Sequence, residues 1–541
     1  MFIYREKELA EYADAFLQGI KKERFIMAEL DNYVTSPNDR KVCCLYGLRR
    51  TGKAVMMMQE IRKLNQYGNS LFMRCEDGDT MFQVRKTLES NKDCKYVFID
   101  EVTKTNNFIA TASVLSDIYA GGGKKVVLAG TDSLGFMIAR YDELYDRANF
   151  IHTTYIPFKE YHELLGRDIM DYIEYGGTLS PENTFYNKDD LNEYSNSAIV
   201  YNIIHTLENW NHGRNFGVLE NIVDYGDLPS FINRVLERHN RTFLLSTITK
   251  DFKSHDLGSL VDLLNQSGNV DTNIIDTGEM QERIRVALRI KNNHMSIRGF
   301  SKKLEDTEIL ENAVEVIIKY LKRLDVLYEI PSDEKGTEKE YIFTQTGMRY
   351  SQASDFADIL IKSDDIFGKY QKHEKREILN KLKSDICGGI LEDIVFYQTA
   401  RTFQNKSEYE ITKYRDEVGR EADVVVENYD KCSVVAIEVK LSDQYAEQQM
   451  KHLLNQEFCS EIESKTGLVI ANKVVVYRGE NDYISDKGVI YLNAEDYLSN
   501  TEEIIEMLTD EHIESREHLQ SLLALKGITI QMKQGKNSII R

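Results

Sequence analysis

No apolar run in this 541-residue chain approaches the ~18 residues that a helix needs to span a bilayer, which excludes a helical membrane span. Met1 to Ala15 is charged and amphipathic and lacks the apolar core of a cleavable signal, so the expected location is the cytosol and no membrane partner is expected. The seven cysteines, Cys43, Cys44, Cys75, Cys94, Cys387, Cys432 and Cys459, contain no C-x-x-C pair, and no histidine cluster has zinc spacing. They read as reduced core thiols. Repeats and low-complexity tracts are absent. The formal charge of −20 works against non-specific attraction to DNA or to an anionic surface, so any nucleic-acid role has to be local. What is present is ample material for packed cores: 42% of the residues are hydrophobic, and the length predicts two to four domains.

The most informative segment is Gly47, Leu48, Arg49, Arg50, Thr51, Gly52 and Lys53, directly after the apolar run Val42 to Tyr46. A G-x-x-x-x-G-K turn between a strand and a helix wraps backbone N–H groups around nucleotide phosphates. Glycine permits the close approach, and the lysine reaches the β and γ oxygens. Val55 to Asn65 reads as the helix that follows, so strand, loop and helix stand in the required order. The loop therefore predicts binding of ATP or GTP. Ala54 occupies the position where a Ser or Thr hydroxyl normally ligates Mg²⁺, which separates the question of binding from that of turnover.

Tyr96 to Ile99 is an apolar strand ending in Asp100 and Glu101, at the edge of a parallel sheet where ligands bind. Asp100 is expected to hold Mg²⁺ and Glu101 to orient and deprotonate water. The strand Lys125 to Ala129 ends at Gly130, Thr131, Asp132 and Ser133, where Thr131 or Asp132 is expected to sense the γ-phosphate. Arg147 is a candidate for neutralising transition-state charge in its own or a neighbouring subunit, the alternative being a solvated arginine.

A second constellation lies downstream. Glu392 sits in an amphipathic helix, Asp423 interrupts the strand EADVVVE, and the strand Ser433 to Lys440 carries Glu438 and Lys440. Residues two apart on a strand share a face, so Glu438 and Lys440 point together. Asp423, Glu438 and the Ile437 carbonyl could hold a divalent metal, with Lys440 steering water toward phosphate.

Residues 1–40 read as a helical lead-in, 41–160 as alternating strands and helices around a parallel sheet, and 161–280 as a mainly helical lid. Helices followed by a two-stranded signal in 281–350 suggest a winged helix. There Ile309 to Leu324 presents one apolar face, and the reading as an internal packing module stands ahead of DNA reading. In 376–500 a helix precedes strands at Tyr409 to Lys413, Asp423 and Glu438, a helix over Gln444 to Asn455, and strands Val474 to Tyr477 and Val489 to Leu492. Residues 501–541 read as a helical tail.

The segments YGLRRTGKA, FIDE, LAGTDSLGF, ELYDR and IPFKEYHELLG resemble prokaryotic, archaeal-type ATPases of the AAA class that carry a C-terminal nuclease-like domain. The element order of 376–500 is similar to the core of PD-(D/E)xK nucleases. The resemblance implies an α/β fold: a P-loop NTPase parallel sheet, then a helical lid, a winged helix and a PD-(D/E)xK-like domain. It implies ATP and Mg²⁺ as cofactors, and coupling of nucleotide state to the C-terminal module. Ala54 departs from the family's Thr or Ser. Two outcomes stay open: a nucleotide-gated nuclease, for instance in defence against foreign DNA, or a non-cutting switch or scaffold that binds ATP and recruits protein partners or further copies of itself.

Overall fold

The computed structural model describes residues 1–141, 143–179, 194, 196–209, 231–233, 235–236, 307–331, 339–362, 368, 370–479 and 483–528. In the N-terminal part the strands are β1 (Phe2–Arg5), β2 (Val42–Tyr46), β3 (Ser70–Arg74), β4 (Tyr96–Asp100), β5 (Lys125–Gly130) and β6 (Ala148–His152). The helices are α1 (Glu6–Phe16), α2 (Met27–Thr35), α3 (Lys53–Leu64), α4 (Met81–Ser90), α5 (Phe108–Thr111) and α6 (Ser133–Tyr141). The strands assemble in the order β1-β3-β4-β5-β2-β6, all parallel except β1, which runs antiparallel to β3. Every residue of β2, β4 and β5 is buried, because a parallel sheet needs apolar side chains on both faces. One face packs on α1, α2 and α3 through residues such as Leu9, Leu30 and Met57, and the other is covered by α4, α5 and α6.

The lead-in is not purely helical. Phe2–Arg5 forms the edge strand β1, paired from Phe2 opposite Arg74 to Arg5 opposite Leu71, a run too short to show a period before α1 begins.

The chain then passes through α7 (Phe158–Leu165), α8 (Ile169–Tyr175), α9 (Tyr201–Asn209) and α10 (Thr307–Arg323) to the antiparallel pair β7 (Leu327–Glu329) and β8 (Tyr341–Phe343). The expected helix and two-stranded signal are present. Trp210, Leu260 to Leu264, the helical stretches expected between 281 and 306 and most of the connection between β7 and β8 lie outside the described residues. Ala313, Ile317 and Leu321 of α10 join the core of the N-terminal sheet, so this element packs on the N-terminal domain.

The C-terminal part has α11 (Thr346–Ile361), the 32-residue α12 (Lys372–Phe403) and a second six-stranded sheet. Its strands are β9 (Tyr409–Arg415), β10 (Glu421–Asn428), β11 (Ser433–Lys440), β12 (Val469–Tyr477), β13 (Tyr483–Ile484) and β14 (Ile490–Asn493), in the order β13-β14-β12-β11-β10-β9. β9, β10 and β11 form an antiparallel meander, whereas β11, β12 and β14 run parallel. The helix expected over Gln444 to Asn455 is instead a short 3₁₀ turn, Glu447–Met450, followed by α13 (Gln456–Thr466). Asn455 is the reason: its side chain accepts from the Phe458 N–H at 2.9 Å, so it starts a helix and does not end one.

Two assignments change when the cores are traced. α7, which straddles the expected boundary at 160, and α8, expected in the lid, place Phe158, Tyr161, Ile169 and Ile173 in the core of the C-terminal sheet. The expected tail, as far as it is described, is α15 (Thr501–Asp510) and α16 (Arg516–Leu525), which follow α14 (Ala494–Ser499). Ile504, Ile505, Leu508 and Leu519 are buried against that same sheet. At about 1.5–3 kcal/mol for each buried side chain, these four contribute an amount comparable to the whole stability of a typical domain. Among the described residues, no helix is long and apolar enough to cross a membrane. Six cysteines are buried and unpaired, and Cys432 is exposed.

Candidate functional site

The order β4-β5-β2-β6 gathers four strand ends at one edge. β2 runs into the loop Gly47 to Gly52, β4 into Asp100 and Glu101, β5 into Thr131 and Asp132, and β6 into Thr153 and Thr154. Gly47 has φ +147° and Gly52 +91°, backbone regions that favour glycine, and a Cβ on Gly47 would run into the Thr153 hydroxyl. Thr153 and Thr154 fasten the loop from beside it. The Thr154 hydroxyl accepts from the Leu48 N–H at 3.1 Å, and the Thr153 hydroxyl lies 2.7 Å from that of Thr51. Arg50 also has a positive φ, 62°. Its carbonyl accepts from the Leu179 N–H at 2.7 Å, and its guanidinium lies over the Tyr194 ring, as that of Arg49 lies over Tyr201.

Lys53 opens α3 with its ammonium buried over the loop, donating to the Gly47 and Leu48 carbonyls at 2.7 Å each. Burial lowers its pKa to about 8, against the opposing pull of Glu101 and Asp100. Asp100 is buried as well. Desolvation, then the charge of Glu101, push its carboxyl up to about 6. Glu101 adopts φ 53° and accepts from the Thr131 hydroxyl at 2.9 Å. A loop of converging amides, a fixed ammonium and two carboxylates suits a triphosphate with its divalent cation. Asp100 would be the side chain to approach such a cation, and the Ala54 side chain carries no oxygen.

If ATP binds at this loop it meets a charged Lys53 best, and with the free-state pKa near 8, its affinity is expected to be nearly flat between about pH 7 and 8 and to weaken above that by at most tenfold per pH unit. Calorimetry from neutral to alkaline pH checks this; affinity unchanged well above pH 8 would show that the ammonium does not contribute.

Two expectations need correction. Asp132 faces α9: its carboxylate accepts from the Gly135 N–H at 2.8 Å, the Thr206 hydroxyl at 2.8 Å and His205 Nδ1 at 2.7 Å. With both oxygens engaged, it ties α6 to α9, and Thr131 is the one that meets Glu101. Arg147 stands at the wrong edge of the sheet for a role in its own site. It precedes β6, which runs parallel to β2, and its carbonyl accepts from the Val42 N–H at the start of β2. A five-residue strand, ~17 Å, separates that point from Gly47. Its guanidinium pairs with Asp117 at 2.8 Å.

Sequence reasoning missed Arg24 and Glu160, both buried beneath the loop, with Arg24 Nε 2.6 Å from Glu160 Oε1. Arg24 follows Lys21, Lys22 and Glu23, a charged stretch that reads as solvated. Thr153 and Thr154 carried a weak signal, as paired hydroxyls at the end of a strand.

The downstream constellation converges too. Asp423 sits where the β9–β10 register shifts, and its carboxylate accepts from the Val439 N–H at 2.7 Å. Lys440 Nζ lies 2.6 Å from Glu438 and 3.6 Å from Asp423, and His452 Nδ1 is 3.3 Å from the other Glu438 oxygen. Desolvation opposes the Lys440 charge, but Glu438, Asp423 and Glu392 raise its pKa well above the ordinary lysine value. Among the described residues no group of three or more His, Cys, Asp or Glu stands ready to hold a metal ion. Here the lysine ammonium is the cation that balances the carboxylates. Ile437 lies in the ladder, opposite Val424 on one side and Val474 on the other.

Comparison with known proteins gives two family matches. Residues 39–162 match the AAA domain, and residues 387–497 match a domain of unknown function, DUF4143. Among solved structures, the chain is similar to the S. cerevisiae Hsp104-ADP complex at 12% identity and a TM-score of 0.24. The likeness covers 74% of this chain and 55% of that one, so it spans little more than half of the yeast protein and is too loose to bear on the fold. No curated protein matches the chain.

Proposed function

We propose that this protein is an ATP-binding ATPase of the AAA class whose nucleotide site is the loop Gly47 to Lys53 with Asp100, Glu101 and Thr131, and whose nucleotide state is passed to the C-terminal domain. The observation that carries this reading is the arrival of the buried Lys53, the Asp100–Glu101 pair and Thr131 at one sheet edge. The AAA match over 39–162 agrees with it. Lys53 holds the phosphates, Asp100 holds the cation, and Glu101, positioned by Thr131, takes the proton of attacking water. Coupling has a route in the packing. β6 leads into α7, whose Phe158 N–H donates to Gln398 of α12 at 3.1 Å.

Ala54 leaves the cation one protein ligand short, so hydrolysis is slow while nucleotide binding is retained. Ala54→Thr is expected to raise Mg²⁺-dependent turnover several-fold and to change ATP affinity less, since the restored hydroxyl acts on the cation and not on the loop amides. ATP binding and phosphate release measured on one preparation, with Mg²⁺ and with or without DNA, decide the matter. A wild type that already turns over as fast as Ala54→Thr would show that the hydroxyl is not limiting.

A second reading concerns the C-terminal domain and rests on the approach of Asp423, Glu438 and Lys440 within one ion-pair network. As in PD-(D/E)xK nucleases, the two carboxylates would take a divalent cation, and Lys440, displaced from between them, would face the scissile phosphate. The proteins this reading describes nick DNA under nucleotide control. Asp423→Ala and Glu438→Ala are each expected to eliminate Mg²⁺-dependent nicking of plasmid DNA while circular dichroism stays unchanged. If the purified wild type does not nick, the scaffold reading stands in its place; nicking that persists in both variants places the activity elsewhere.

A further inference from the structure

Arg24 lies between α1 and α2, outside every motif, yet its guanidinium joins the phosphate loop to the segment after β6 and to α7. Nη1 donates to the Thr51 carbonyl at 2.5 Å and to the Thr153 carbonyl at 3.0 Å. Nη2 donates to the Tyr155 carbonyl at 2.9 Å, and Nε and Nη2 meet the two oxygens of Glu160 at 2.6 and 3.1 Å. Glu160 Oε1 in turn accepts from the Phe25 N–H at 2.6 Å. Both side chains are almost wholly buried, at 2% and 1% exposure. A buried pair of this kind adds little net stability compared with apolar residues of the same size, so its presence calls for another account.

The geometry supplies one. A trans peptide is planar, and its C=O and N–H point in opposite directions. By drawing the Thr51 carbonyl toward itself, Arg24 turns the Gly52 N–H the other way, out of the buried pair and into the loop. Only an arginine fork spans three carbonyls and a carboxylate at once. The other two carbonyls belong to the segment after β6, whose Thr153 and Thr154 side chains hold the loop from beside it. The two contacts therefore set loop and side wall together.

We infer that Arg24, oriented by Glu160, is a positioning residue for phosphate binding that aims the loop amides at the nucleotide without touching it. This rests on the loop being the nucleotide site. Glu160 lies in the first turn of α7, so a displacement of the loop on binding pulls on the helix that packs against the C-terminal core.

The test compares Arg24→Met/Glu160→Leu and Arg24→Lys with the parent, using ATP and inorganic tripolyphosphate as ligands, and thermal melting of each protein. The double variant removes both charges and leaves apolar side chains, so it is expected to fold. Its affinity for ATP and for tripolyphosphate is expected to fall by a similar factor, at least about tenfold, because the loop alone is altered. Arg24→Lys keeps the charge and loses the fork, and its affinities are expected to lie between those of the parent and the double variant, with melting near that of the parent. Parental affinity for both ligands in a folded double variant overturns the inference. Should the double variant not fold, Arg24→Lys decides on the same criterion. Lys53→Ala is the control: if it too binds ATP normally, the fault lies in placing the nucleotide at this loop and not in the role of Arg24.

Discussion

Lys53→Ala is expected to lower ATP affinity at least about a hundredfold, to the limit of detection by calorimetry. The reason is local. The ammonium is held over the loop by the Gly47 and Leu48 carbonyls, where it is desolvated, and a charge-assisted bond to phosphate there is worth more than one in water. At about 1.4 kcal/mol per tenfold, two such bonds lost account for the expected factor. Folding is expected to survive, because burial makes the charged lysine a mild liability to the free protein. Unchanged affinity in a folded variant would mean that the nucleotide binds elsewhere.

Glu101→Gln has the second large effect, and it separates chemistry from binding. An amide keeps the size of the side chain and can still accept from the Thr131 hydroxyl, so the turn at φ 53° is retained. It cannot take a proton from water. General-base removal of this kind lowers rates by about 10²–10⁴, so phosphate release is expected to fall by at least a hundredfold, most visibly in the Ala54→Thr background where the parent rate is higher. ATP affinity should stay within about threefold of the parent, because the carboxylate meets water and not phosphate. Turnover that survives in the glutamine variant assigns the base to another residue.

Much of the nucleotide-type domain was legible in the sequence because its signals are local. Buried parallel strands read as apolar runs, the phosphate loop is a contiguous motif, and Asp100 and Glu101 follow their strand directly. The carboxylates and lysine of the C-terminal sheet were also readable, since spacing by two puts Glu438 and Lys440 on one face. What escaped was everything set by the packing of distant segments. Arg24 and Glu160 are far apart in the chain, and neither type is expected in a core. Asp132 was misread because its partners, His205 and Thr206, arrive on a helix whose position no local pattern gives. Arg147 was misplaced for a role in its own site because strand direction decides which edge of a sheet a neighbouring residue reaches, and the direction of β6 follows from topology. Asn455 is a different kind of miss: polar residues both start and end helices, and only the side chain's hydrogen bond tells which.

The docking of α7 and α8 into the C-terminal core has a consequence for how the protein is made. The Phe158 N–H and its Gln398 acceptor are 240 residues apart, and the Ile169 N–H and Glu495 are 326 apart. On a ribosome adding about 5–20 residues per second, Phe158, Tyr161, Ile169 and Ile173 emerge on the order of tens of seconds before the sheet that covers them exists. For that interval the newborn chain carries a greasy strip beside an N-terminal domain with every strand it needs. Contacts this distant also slow the final assembly. The C-terminal core therefore cannot close before its last helices are made, and the nascent protein passes through a long, sticky stage in which helper proteins that shield apolar surfaces have the most to do.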